Sequence, residues 1–340
     1  MWVKGGSAYL HIEGNRIYNC GIGGGFSAGQ GTGLQFMISP FLHYEAYAIR
    51  FVNNVIHNVV GPGLGVQGGY NILLAYNTLY RVGCRSHAIQ AVFGERTCDA
   101  PYQASDPSVS AEERDRAMRA TRNECANRVS SGGWGTSCMV YTNIMGEENP
   151  EGCLDFEPIP NRHVYIYNNL LYNPPDYSSR DGQFSVPASP TSEPSSGSNI
   201  PSPVRADGDL HIRGNLIWNG TTELADFEST PHGGCNGGDC SRSNLHNANF
   251  INREGLEPIL RGPTAGDFHL RADFWIRLIG DSRYRSVVRS LLVDLPPFDW
   301  SDVPPLRDGT GAEPPEELRN AVARDYDGTC RLFRVPGAFS

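Results

Sequence analysis

The chain has 340 residues, a net charge of −9 and a pI near 5.5, which argues against nucleic acid as its partner and against a uniformly basic groove for polyanions. Its 39 glycines and 24 prolines suit a backbone that turns often, and no apolar run is long enough to span a membrane. Nine cysteines point to an oxidising compartment, so an extracellular or cell-surface location is expected.

No signal peptide is visible, and the chain opens almost directly into its first patterned segment, so a leader and an N-terminal cap are expected ahead of it. That segment, Leu10–Asn19, reads LHIEGNRIYN. Ile49–Asn58 (IRFVNNVIHN) and Ile72–Arg81 (ILLAYNTLYR) repeat its plan, with Asn54 and Asn77 separated by 23 residues. Residues 97–136 interrupt the pattern. Within them, Ser110-Ala111-Glu112-Glu113 has the form of a capping box, and a short helix is expected from there to about Asn127.

Val164–Asn173 (VYIYNNLLYN) resumes the plan, and Leu210–Asn219 (LHIRGNLIWN) carries it once more. Between them, residues 174–209 are rich in Pro, Ser and Gly and read as a flexible excursion. From Gly266 the character changes to a closing segment, 266–340, expected to pack on the repeats. It has a helical face over Ser282–Leu292, a second helix over Glu316–Arg324 and a tail that includes Asp325–Arg331 and Pro336–Phe339. Plausible disulfides are Cys98–Cys125, Cys138–Cys153 and Cys235–Cys240, with Cys20, Cys84 or Cys330 left over; spacing does not fix the connectivity.

Alternation within each unit means a strand with one buried face. A unit this short cannot bury its own apolar face, and stacking in register solves the problem. Asn15, Asn54, Asn77, Asn169 and Asn215 would then form a side-chain ladder, with Ile17, Ile56, Leu79, Leu171 and Ile217 pointing inward. A second register is expected through Gln35, Gln67, Gln90 and Asp155, with Leu34, Val66, Ile89 and Leu154 inward.

This strand–Asn–strand plan resembles the right-handed parallel β-helix of the pectate-lyase-like superfamily, over roughly residues 8–260 and the tail. The resemblance implies an all-β, single-stranded solenoid spanning 1–265, with a helical loop insertion and a short helical C-terminal segment. Proteins of this fold include lyases, hydrolases, epimerases and inert adhesins, so fold alone does not choose an activity. Neither Asp-Asp, Arg-x-Lys nor Asp-Pro-His-Asp occurs, and no catalytic residue is carried over by motif.

Four clusters carry candidate chemistry. Tyr18, His57, Tyr80, Tyr172 and Trp218 share one outward register position; they would stack on sugar rings, or else support loops and strand pairing. Asp155 and Glu157 share a strand face and would hold Ca²⁺ or act as a Brønsted pair, or form part of a solvated acidic loop. Arg85, His87 and Arg96 would serve β-elimination on a uronate, an arginine neutralising the enolate and His87 or Tyr80 taking the proton, unless they are turn residues. His232, Cys235, Cys240 and His246 have zinc-like spacing, though a small disulfide loop fits the surrounding glycines better.

The expectation is a monomeric, secreted, polysaccharide-interacting protein. It would cleave an acidic glycan through Arg85, His87, Arg96 and Tyr80, with Gln35, Gln67, Gln90, His57, Tyr172 and Trp218 binding the chain and Ca²⁺ at Asp155 and Glu157. The alternative is a non-catalytic carbohydrate-binding, cell-wall or adhesion solenoid.

Overall fold

In a computed structural model of the chain, the described residues are 1–37, 44–99, 101–132, 157–181, 184–186, 200, 204–220, 248–251, 259–280, 282, 324–329 and 337–339. The fold is mostly β, built on three parallel sheets. Sheet I contains Ser7–Glu13, Ala46–Val52, Gly69–Ala75, Arg162–Tyr167 and Leu210–Arg213. Sheet II contains Arg16–Tyr18, Val55–Val59, Thr78–Val82, Leu170–Asn173, Leu216–Asn219 and Phe250–Ile251. Sheet III contains Trp2–Val3, Phe26–Gly29, Leu64–Gln67, Ile89–Val92 and Phe184–Ser185. From Ser7 the chain visits sheets I, II and III in turn and repeats that order, each strand pairing with its counterpart one turn on.

One turn shows why the sequence folds this way. Ile49 and Phe51 in sheet I, Ile56 in sheet II, and Leu64 and Val66 in sheet III all enter one core. The next turn repeats the set with Ile72, Leu74, Leu79, Ile89 and Ala91. Each large side chain removed from water in this way contributes about 1.5–3 kcal/mol.

The corner between sheets I and II carries the ladder. Asn54 Nδ2 donates to Asn77 Oδ1 at 3.2 Å, Asn77 Nδ2 to Asn169 Oδ1 at 3.0 Å and Asn169 Nδ2 to Asn215 Oδ1 at 2.9 Å. Asn15 joins at one end, donating to Asn54 Oδ1 at 3.1 Å. Asn249, absent from the sequence-based alignment, extends the other end by accepting from Asn215 Nδ2 at 2.8 Å. The residue before each of Asn15, Asn54, Asn77, Asn169 and Asn215 has positive φ: Gly14, Asn53, Tyr76, Asn168 and Gly214 at 67°, 55°, 55°, 54° and 74°. Gly and Asn accept that conformation readily; a tyrosine does so at a cost of about 1 kcal/mol.

Sheet III corrects one expectation. Gln67 pairs with Val92, and Gln90 pairs with Gly65, so the two glutamines are not register partners. Val59 pairs with Val82, yet Leu64 follows the first by 5 residues and Ile89 follows the second by 7, so the second turn is two residues longer. An even shift keeps both glutamines on the outer face. Gln35 is not in sheet III at all; it lies in the short 3-10 turn Leu34–Phe36.

The insertion forms a helix over Ala111–Gly132, longer than expected. Ser110 caps it, its Oγ accepting from Glu113 N at 3.2 Å. Cys98 and Cys125 are disulfide-bonded, as expected, and Cys20 and Cys84 are free thiols. The other proposed cysteine pairs and the helices expected beyond Ser282 lie outside the described residues. Among the described residues, no helix is long and apolar enough to cross a membrane.

In the closing segment, Asp267–Leu270 pairs antiparallel with Leu260–Gly262, and a helix spans Ala272–Gly280. Phe268, Phe274, Ala338 and Phe339 pack on the outer face of sheet II. Ala338 N donates to Thr78 Oγ1 at 2.9 Å, and Gly337 N to Asn168 O at 2.8 Å. Gly337 has φ +97°, and a Cβ there would lie 3.0 Å from both Leu170 Cβ and Thr78 Oγ1. The tail therefore approaches closest where only glycine fits.

Candidate functional site

The outward aromatic row exists but is covered. Tyr18, His57, Tyr80, Tyr172 and Trp218 stand in register along sheet II. Tyr18 is exposed, whereas the other four are at most 5% exposed, with Tyr80, Tyr172 and Trp218 packed in one cluster with Phe268, Phe274 and Phe339. The alternation read from sequence correctly turns these rings away from the core. It does not reveal that residues far along the chain lie over them, Phe268 beside His57 and Phe274 beside Trp218. An open sugar-stacking stripe on sheet II is therefore not what the fold presents.

His57 shows what that cover does to a titratable group. Tyr18 stacks on its ring at 5.1 Å, and Phe268 lies 5.0 Å away. Arg16 Nε donates to His57 Nε2 at 2.9 Å, and Asn58 Nδ2 lies 3.1 Å from His57 Nδ1. Burial, and then the Arg16 charge, push the imidazole down to about 4. The unfolded chain takes up this proton near pH 6.5, so stability is full above that pH and falls as pH drops towards 4. The expected loss over this window is about 3 kcal/mol. Urea denaturation at pH 7 and pH 4 should show it in the wild type and show a smaller difference in His57→Leu.

Arg96 also departs from expectation. Its strand, Gly94–Thr97, pairs with Thr32–Gly33 and Glu157–Ile159 beside the main sheets. Its side chain and that of Glu45 are both 0% exposed and ion-paired. Arg96 Nη2 also donates to Tyr44 O at 2.7 Å. Burial lowers the guanidinium's pKa, and no glycan reaches it. Gln35 is likewise structural: its Nε2 donates to Asp99 O at 2.9 Å, fastening the base of the helical insertion. Asp155 lies outside the described residues, as does the His232–His246 cluster, and Glu157 is placed only by its backbone pairing with Arg96. Among the described residues no group of three or more His, Cys, Asp or Glu could hold a metal ion.

What the fold does bring together is Arg85, Ser86, His87 and Gln90, on the turn that leads into the sheet III strand Ile89–Val92 and on that strand itself. The turn Val82–Ala88 is shaped by Gly83, whose positive φ of 81° places its N–H on Val59 O and Gly61 O. Arg85 N donates to Val60 O at 3.1 Å, leaving the guanidinium exposed. Gln90 Nε2 donates to Ser86 Oγ at 3.2 Å. The loop 177–181 packs on this turn through Arg180 N to Gly83 O at 3.1 Å and Asp181 N to Ser86 O at 3.4 Å. His87 is half-buried; burial lowers its pKa, and the Asp181 carboxylate partly opposes this. A neutral imidazole at neutral pH is a competent proton acceptor. Gly65 and Ser27, the register neighbours of Gln90, continue the outer row with short side chains towards exposed Trp2.

One further group was missed from sequence. Asp209 Oδ2 accepts from His163 Nδ1, and Asp209 Oδ1 from His211 Nε2, both at 2.6 Å, while Tyr165 stacks on His211. The two imidazoles, His163 first, hold this carboxyl well below the usual carboxylate range. The sequence signal was present, since Val164 pairs with Leu210 and so brings His163 beside Asp209. Glu95 is half-buried, with its pKa raised by burial and then by Asp99. It stands beyond the opposite end of Ile89–Val92 from His87, so the two do not form one centre. No family model, curated protein or solved structure matches the chain.

Proposed function

We propose that the chain is a right-handed parallel β-helix of the pectate-lyase-like type that acts outside the cell on an acidic polysaccharide, cleaving it by β-elimination along the outer face of sheet III. The observation that carries this reading is the grouping of exposed Arg85, half-buried His87 and Gln90 on one turn and strand, at the end of a row of short side chains. Strands in a sheet are about 4.8 Å apart, so the five rungs from Trp2 to Ser185 span about 19 Å, with Ser27 and Gly65 buried between exposed Trp2 and the half-buried Gln90. The Cys98–Cys125 disulfide supports an oxidising location.

In this mechanism Arg85 pairs with a uronate carboxylate and stabilises the negative charge that develops on it. His87 removes the proton on C5. The electron pair forms the C4–C5 double bond and expels the C4 oxygen, which takes a proton from water. The products are a new chain end and an unsaturated uronate. Tyr80 is buried and Arg96 is ion-paired within the protein, so neither is assigned a role.

The test is absorbance of unsaturated uronates over a panel of acidic glycans. Activity on at least one is expected, falling 10²-fold or more in His87→Ala and in Arg85→Ala. Retained binding with no elimination product on any glycan would favour the non-catalytic solenoid. Full activity in His87→Ala would remove the assigned base.

A further inference from the structure

His87 sits beside a loop that the fold fastens in place. Residues 174–181 leave sheet II after Leu170–Asn173 and pack on the turn before His87, ahead of the next sheet III strand, Phe184–Ser185. Several contacts pin this loop along its length. Arg81 pairs with Asp176 at 3.1 Å, and its Cζ lies 4.7 Å from the Tyr177 ring centroid. Tyr177 Oη donates to Val59 O at 3.0 Å. Ser179 is fully buried; its Oγ donates to Val82 O at 3.1 Å and its N to Asn219 Oδ1 at 2.9 Å. Arg180 N and Asp181 N then donate to Gly83 O and Ser86 O. A loop tied at this many points holds its side chains in fixed positions, as a group that supports a catalytic residue must be held.

Asp181 is the residue that this fastening delivers to the site. Its N–H bond to Ser86, the residue before His87, brings its partly buried carboxylate within reach of the imidazole's charge. Arg180 Nε stands 3.3 Å from Asp181 Oδ1 and steadies it. The titratable and charged groups around His87 are Cys84 and Arg85 on its own turn, and Tyr177, Arg180 and Asp181 on the loop. The neighbouring rungs, residues 61–64 and Phe184–Ser185, bring no charge. Among the described residues Asp181 is therefore the one carboxylate that acts on His87, and it opposes the effect of burial.

We propose that Asp181 is a positioning residue for His87, a fixed negative neighbour that stabilises the imidazolium formed when the base takes a proton. The proton from C5 stays on the imidazole, and Asp181 remains ionised throughout, so it accepts no proton itself. A half-buried imidazole alone is a weakened base, because burial disfavours its charged form, and a carboxylate held beside it offsets that penalty. The inference rests on His87 being the base assigned above.

Asp181→Asn removes the charge and keeps the backbone bond to Ser86. On a glycan that the wild type cleaves, kcat on the high-pH plateau should fall about tenfold, KM should stay within about twofold, and the acidic limb of the pH profile should move to lower pH. Arg180→Gln takes the guanidinium from the carboxylate and should move that limb to higher pH. A loosened loop would not move it in opposite directions in the two variants. Proton NMR titration of the His87 ring reads the same two displacements with no substrate present. Both displacements without elimination product from any variant would sink the lyase reading and support the pairing. A His87 midpoint that Asp181→Asn leaves in place or moves up would overturn the proposal. So would an unchanged plateau kcat in Asp181→Asn.

Discussion

Replacing Asn77 with alanine is expected to lower the unfolding free energy by about 4–6 kcal/mol. The side chain is fully buried and holds four partners. Its Oδ1 accepts from Asn54 N at 2.9 Å and Asn54 Nδ2 at 3.2 Å, and its Nδ2 donates to Phe51 O at 3.1 Å and Asn169 Oδ1 at 3.0 Å. Alanine leaves all four groups without this partner inside a stack where water does not reach them, and each such loss costs about 1–3 kcal/mol. The sum is reduced because Asn54 Nδ2 and Asn169 Oδ1 keep other bonds. The same substitution at exposed Asn15 should cost about 1 kcal/mol or less, since water replaces what is lost. Urea denaturation of the two variants measures the contrast directly, and equal costs would mean that the ladder does not stabilise the corner.

Arg96→Met should cost about 3–5 kcal/mol, because it leaves the Glu45 carboxylate buried without its cation. Glu45 Oε2 would still accept from Thr32 Oγ1 at 2.7 Å and Gly5 N at 2.9 Å, but two neutral donors do not replace a guanidinium. Adding Glu45→Gln to Arg96→Met should recover at least half of the loss. The amide keeps an oxygen for Thr32 and Gly5 and carries no charge. Chemical denaturation of the wild type, both single variants and the double variant forms the cycle. A double variant no better than Arg96→Met would show that packing, and not the unpaired carboxylate, sets the cost.

The parts of the fold legible in the sequence are those in which each rung repeats the one before. Asn54, Asn77, Asn169 and Asn215 could be aligned because alternating apolar residues flank each of them, and the structure joins them in that order. Asn249 escaped because its strand in sheet II, Phe250–Ile251, has only two residues. The sheet III register failed for a local reason, since nothing periodic counts the two extra residues between Val82 and Ile89.

Cover was harder to read than orientation. The pattern turned His57, Tyr80, Tyr172 and Trp218 outward, and that is where they point. Whether an outward ring meets solvent or Phe268 depends on contacts far along the chain, and periodicity does not encode those. Arg96 is the same case, because its partner Glu45 lies 51 positions away on a segment without the repeat. Arg85, His87 and Gln90 lie together because all three sit within one turn and its strand, where sequence separation limits distance, whereas Arg96, read from the sequence as part of the same cluster, sits in a separate small sheet. The Asp209 pair of imidazoles needed the register of Val164 with Leu210 to be used for polar residues as well as apolar ones.

The claim beneath all of this is that successive turns lie directly on one another in parallel register. Methyl–methyl nuclear Overhauser contacts test it without reference to activity. Ile56, Leu79, Leu171 and Ile217 pair rung by rung along sheet II, one strand spacing of about 4.8 Å apart. The expected spectrum links Ile56 to Leu79, Leu79 to Leu171 and Leu171 to Ile217, and does not link Ile56 to Ile217. A folded protein in which Leu79 contacts neither Ile56 nor Leu171 would contradict the stack, and with it the placement of the sheet III track.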